Sequence, residues 1–211
     1  MSVIRQPEVL GRTTRRRVVG VTAALSAAAL ETVGVGLWFG LVVGSRTTAT
    51  ALAGLGVLFC GALLRTGVFG ATVTDLETLV EPIRLGAALV LTAGWIGWLF
   101  VAELIGGGVG IAVGTAVLAG ILTGQFALER RAFRPRPGDG ATVVPGLVLA
   151  AGASVLLTTA WFFDGGLSSP PLSLGLTTVV VEITALHVGI LVFALSSAFA
   201  HQRRLQRALD P

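Results

Sequence analysis

Apolar residues run along the chain in six long blocks, at 18–43, 49–69, 82–105, 109–128, 144–163 and 174–199, separated by short polar or Gly- and Pro-rich stretches. About 20 residues rising 1.5 Å each cross a hydrocarbon layer roughly 30 Å thick, so every block is long enough for a spanning helix. The pattern predicts an all-α, polytopic membrane bundle of six transmembrane helices with no soluble domain. The first block would be about 39 Å long and must tilt or protrude. A polar tail (1–17) precedes the spanning region (18–200), and a basic tail (201–211) follows it.

The connections carry their own signals. Thr74 and Glu77 fit a capping box ahead of a short interfacial helix at 75–80, and Pro82 suits the first turn of the third span. Gly106, Gly107 and Gly108 allow a tight return into the fourth span. The stretch 129–145, with Arg130, Arg131, Arg134, Arg136, Pro135 and Pro137, reads as a solvated linker, and 164–173 as a turn-rich loop. Aromatic groups near the ends of the odd blocks (Trp38-Phe39, Trp98-Leu99-Phe100, Trp161-Phe162-Phe163) suggest three helical hairpins in series.

Composition agrees and removes several chemistries. The chain is 54% hydrophobic and 12% charged, against roughly 25% charged in an ordinary soluble domain. All 15 basic residues are Arg. Without Lys there is no Schiff base and no P-loop lysine, which excludes retinal, pyridoxal-phosphate and P-loop nucleotide chemistry. Without Asn there is no glycosylation sequon. The single Cys60 lies within an apolar block and reads as a small buried hydrophobe. The tails and the fourth loop (129–145) gather every Arg except Arg46, Arg65 and Arg84, the last at the start of the third block, which places both termini in the cytoplasm of a prokaryotic plasma membrane. Trp38, Trp95, Trp98 and Trp161 all fall in odd blocks, as an outer aromatic belt would require. Thr14-Arg15-Arg16-Arg17 resembles a twin-arginine export signal, but the apolar run behind it is too long for a signal core.

In lipid, helices associate through small residues that let backbones approach. Gly20, Ala24, Ala28, Thr32, Gly36, Gly40 and Gly44 form a ladder at every fourth position of the first span. Gly146, Ala150, Ser154 and Thr158 repeat the device in the fifth, and Gly110, Gly114, Gly120 and Gly124 share an arc of about 120° in the fourth. The lipid bilayer is the first partner implied; the ladders leave room for a second copy or for another membrane protein.

Ionisable groups inside a bilayer cost a few kcal/mol each and are functional candidates by default. Glu31 falls mid-way along the first span, His187 near the middle of the sixth and Glu182 in its outer third. Glu31 and His187 count to similar depth, so a shared proton between them is the sharpest expectation. Arg65 is expected to snorkel to the interface. Gln125 falls in the inner part of the fourth span, with Glu103 and Asp164 at outer helix ends. No metal-ligand cluster, cofactor motif, nucleophile elbow or nucleic-acid signature is present. The sequence therefore points to a small transporter or channel-like protein, with proton linkage one form of it, in which Glu31, His187 and Glu182 line a polar pathway. The alternative is a non-transporting subunit or scaffold that binds other helices through its Gly and Ala ladders.

Overall fold

A computed structural model describes residues 7–45, 47–73, 82–133, 142–163, 165–173, 175, 177–180 and 182–209, with only the backbone course given at helix ends such as 7–17. Six helices follow one another: α1 (Pro7–Gly44), α2 (Thr48–Val73), α3 (Pro82–Ile105), α4 (Gly107–Phe133), α5 (Val143–Phe162) and α6 (Ala185–Leu209). Each contains a stretch of at least 20 residues apolar enough to cross a membrane. Consecutive helices pack side by side and α6 returns to α1, so the six close into a ring. The protein is a multi-pass, six-helix membrane bundle. An even number of crossings brings both chain ends out on one face, called below the terminal face; the α1–α2, α3–α4 and α5–α6 connections mark the far face.

Less than half of each spanning window is buried within the protein. The remainder is lined by Leu25, Val33, Leu37, Leu52, Leu64, Leu89 and Val109, all exposed. Such a surface has no stable solvent but hydrocarbon, and the helices form because lipid leaves each backbone amide only an intrahelical partner. The shortest connection joins α3 to α4, where Gly106 and Gly107 adopt φ of +74° and +57°. That left-handed backbone suits glycine, and it lets the Gly110 amide donate to the Gly106 carbonyl at 2.9 Å.

The helix seams are narrower than the ladders in the sequence. On α1 the buried positions are Gly20, Ala23, Ala24, Ala27, Ala28, Glu31, Gly34, Val35, Trp38 and Phe39, alternating steps of three and four. A strict every-fourth ladder drifts about 40° per step, or roughly 240° from Gly20 to Gly44, so it must leave any straight seam. Accordingly Gly20, Ala24 and Ala28 are buried, Thr32 is half-buried, and Gly36, Gly40 and Gly44 face open space. The close approach of α1 to α2 falls instead at Gly34 and Gly61, where a Cβ on Gly61 would lie 3.3 Å from the Gly34 Cα. The fourth-span arc divides similarly. Gly110 abuts the Ala102 carbonyl and Gly114 abuts Trp98 and Ala102 on α3, whereas Gly120 and Gly124 face outward. Gly146 seats against Thr123, and Gly152 against Ser196, joining α5 to α4 and α6.

Aromatic residues fill the core toward the far face. Phe39 and Trp98 stack with ring centroids 6.4 Å apart; Trp95 meets Trp98 and Phe193 edge-to-face, each at 5.6 Å. Trp38, Trp95 and Trp98 are buried, so they do not form the lipid-facing belt their positions suggested. In this bundle the large rings gain more from packing on one another than from the headgroups.

Several boundaries differ from the hydropathy blocks. α1 starts at Pro7, well before Val18, and α4 continues to Phe133 past Leu128. α6 begins at Ala185, not at 174, and continues to Leu209. The residues before it form a ribbon outside the bundle: β1 (Gly166–Ser168) pairs antiparallel with β4 (Glu182–Thr184), and β2 (Leu172–Ser173) with β3 (Thr178–Val179). Thr178, Val179, Val180, Ile183 and Thr184 are β-branched, which favours strand over helix even though the segment is apolar enough to resemble a span. The interfacial helix expected at 75–80, Asp164, and the core of the linker at 134–141 lie outside the described residues.

Candidate functional site: a buried charge cluster

Where α1 and α2 cross at Gly34 and Gly61, the next turn toward the terminal face brings Glu31 and Arg65 to the same level. Glu31 lies three residues from Gly34 and Arg65 four from Gly61, about 4.5 and 6 Å along their axes. Both side chains are buried, and the Arg65 Nη1 donates to Glu31 Oε1 at 3.1 Å. Arg65 Nη2 donates at 2.9 Å to Oε1 of Glu129, near the end of α4. Arg65 therefore does not snorkel to the interface. Two carboxylates inside the bundle hold the guanidinium better than headgroup water does, because its planar fork can serve both at once.

The cluster extends to two more helices. On α6, Ser197 donates to Glu31 Oε2 at 3.1 Å, and His201 Nε2 lies 2.7 Å from the same oxygen. Arg204, one turn beyond His201, donates to Glu129 Oε2 at 2.5 Å. Gln125 Nε2 donates to Glu129 at 3.0 Å and to the Ala87 carbonyl of α3 at 3.3 Å. The Phe126 ring packs between the cations, 4.0 Å from Arg204 and 5.8 Å from Arg65. Two carboxylates thus face two guanidiniums with an imidazole beside them, and five of the six helices contribute. Charges at this depth persist only when matched in this way.

Aromatic rings cover the cluster on one side, and on the other it comes closer to the surface. Phe39, Trp95 and Phe193 each lie eight residues toward the far face from Glu31, Ala87 and His201 respectively, about 12 Å along their helices. They belong to the aromatic layer, which closes the bundle above the charges. Toward the terminal face the Arg204 side chain is 12% exposed, against 4% for Glu129 and none for Arg65. Arg204 is therefore the cluster's contact with that surface.

Of the three pathway residues expected from sequence, the structure places only Glu31 in this cluster. His187 is exposed in the first turn of α6, where its Nδ1 accepts from the Thr184 amide at 3.1 Å. Glu182 is exposed on β4. Both were placed too deep because the strand ribbon was counted as the start of the sixth span. The imidazole beside Glu31 is that of His201, which sequence reading had left in the tail. Its signal was present: Phe193, Ser197, Ala200, His201 and Arg204 recur at helical spacing, so the tail continues one face of α6. Gln125 and Glu129, four residues apart on α4, carry the same signal. Among the described residues no group of three His, Cys, Asp or Glu side chains could hold a metal ion. No family model, curated protein or solved structure matches this chain.

Proposed function

We propose that the protein is a small proton-linked membrane transporter, seated in a prokaryotic plasma membrane with its terminal face in the cytoplasm, and that the Glu31–Arg65–Glu129–Arg204 cluster with His201 is its proton-handling site. The observation that carries this reading is the pairing of Glu31 with His201 at 2.7 Å inside the bundle, connected through Arg65 and Glu129 to the partly exposed Arg204. A carboxylate and an imidazole sharing a hydrogen bond are a proton donor–acceptor pair, which is the chemistry a coupled carrier needs. Arg65 and Arg204 pair with the two acids and balance their charge. The aromatic layer supplies the seal required of a carrier closed to the far side. Orientation rests on the Arg residues gathered in the tails and the fourth loop.

A second reading has its own support. Gly36, Gly40 and Gly44 on α1 and Gly120 and Gly124 on α4 leave smooth surface facing outward, as a subunit packed against other helices would. The two are separated by a solute-flux survey of the purified protein in liposomes, with and without an imposed pH gradient. A carrier moves at least one solute at a gradient-dependent rate. A non-transporting subunit moves none and copurifies with a defined complex.

A further inference from the structure

Between the charge cluster and the aromatic layer lies a cavity of about 10 Å³, lined by Leu30, Glu31, Leu58, Arg65, Leu91 and Trp95 among others. Its walls are apolar except at three side chains, and two of those carry a hydrogen-bond donor with no acceptor. Arg65 uses both terminal nitrogens on Glu31 and Glu129, which leaves its Nε–H without a partner. Trp95 is wholly buried and its Nε1–H is likewise unpaired. A buried donor left unsatisfied forfeits the hydrogen bond it had in water.

We propose that this cavity is a binding site for one water molecule, which accepts from Arg65 Nε–H or Trp95 Nε1–H and donates to the Glu31 carboxylate. Three arguments select water. The volume is about that of one water-sized probe, the smallest space a water occupies. A water needs two to four polar partners, and three of the lining residues, Glu31, Arg65 and Trp95, carry polar groups. Charge excludes the alternatives: with His201 neutral the cluster balances two acids against two arginines, so a monatomic anion would leave a net charge beside Glu31, and a cation would face the Arg65 guanidinium. The water fills the step between Glu31 and the aromatic layer. On the proton-linked reading it is the group through which Glu31 senses the far side of the bundle; the site itself stands on the cavity and its donors alone.

The test is water-to-indole cross-relaxation in nanodiscs holding the full chain labelled with ¹⁵N-tryptophan. Trp95→Phe and Trp98→Phe identify two of the four indole resonances. Trp95 is expected to show a direct cross-peak to a long-lived water. Trp98, whose Nε1 is also buried and unpaired but does not line the cavity, serves as the control and shows none. If the variants fail to fold, ordered density within hydrogen-bond distance of Trp95 Nε1 in a crystal of the wild-type protein is the equivalent observation. An absent Trp95 cross-peak, or a dry cavity in the crystal, overturns the site. A clear cross-peak in a protein that moves no proton retains the site and rejects the transport reading.

Discussion

Replacing Arg65 by Met removes a cation that touches both buried carboxylates while keeping a chain of similar length. Glu31 loses a 3.1 Å ion pair and Glu129 a 2.9 Å one. Glu129 keeps Arg204 at 2.5 Å, and Glu31 keeps Ser197 and His201. Breaking a buried pair from one side costs about 3–5 kcal/mol, because the remaining charge is stranded without solvent. For a chain of this size that corresponds to a fall in Tm of about 6–20 °C. Arg65→Met/Glu31→Gln removes both members of one pair and leaves Glu129 with Arg204 intact, so it should recover at least half of the loss. The assay is thermal unfolding in one detergent of wild type, both single variants and the double variant, read as a double-mutant cycle. An Arg65→Met protein within about 1 kcal/mol of wild type, or a double variant no better than the sum of the singles, would refute the view that these charges are held by mutual pairing.

Other consequences are smaller in scope. Gly114→Ala should destabilise, since its methyl would sit 3.1 Å from the Trp98 carbonyl, whereas Gly120→Ala meets open space and should be neutral or gain about 0.5–1 kcal/mol of helix propensity; paired melting curves decide. His187→Ala should shift stability by less than about 0.5 kcal/mol and His201→Ala by more than 1 kcal/mol, because only His201 is buried against Glu31; equal effects in chemical denaturation would count against the α6 register. Cys60 is exposed on α2 within a spanning stretch, so a membrane-impermeant maleimide should leave it unlabelled in intact membranes; labelling there would remove α2 from the bilayer.

Much of the architecture was legible because six apolar blocks leave lipid little alternative. Pro82 and Ile105 bound α3 as expected, and Gly106 makes the tight return. What hydropathy could not separate was an apolar strand ribbon from an apolar helix: Val179, Val180 and Ile183 score like a span, while their branched side chains favour an extended backbone. That error slid α6 and placed His187 beside Glu31. The complementary error cut α4 and α6 at their first polar residues. Glu129, His201 and Arg204 look like loop and tail residues when read singly, since what stabilises them in the bundle is one another, and such pairing is a property of three-dimensional neighbours. Cys60 shows the same limit in reverse: an apolar block reads as interior, yet in a membrane bundle half of every helix faces lipid.

On the transport reading a proton moves through Glu31 and its imidazole partner on α6. The measurement that tests it most directly is the initial rate of gradient-driven proton entry into proteoliposomes, compared among wild type, Glu31→Gln, His201→Ala and His187→Ala at matched protein orientation. Wild type and His187→Ala should show entry at similar rates, with loss of at least tenfold in Glu31→Gln and His201→Ala. Undiminished entry in Glu31→Gln, or loss confined to His187→Ala, would contradict it.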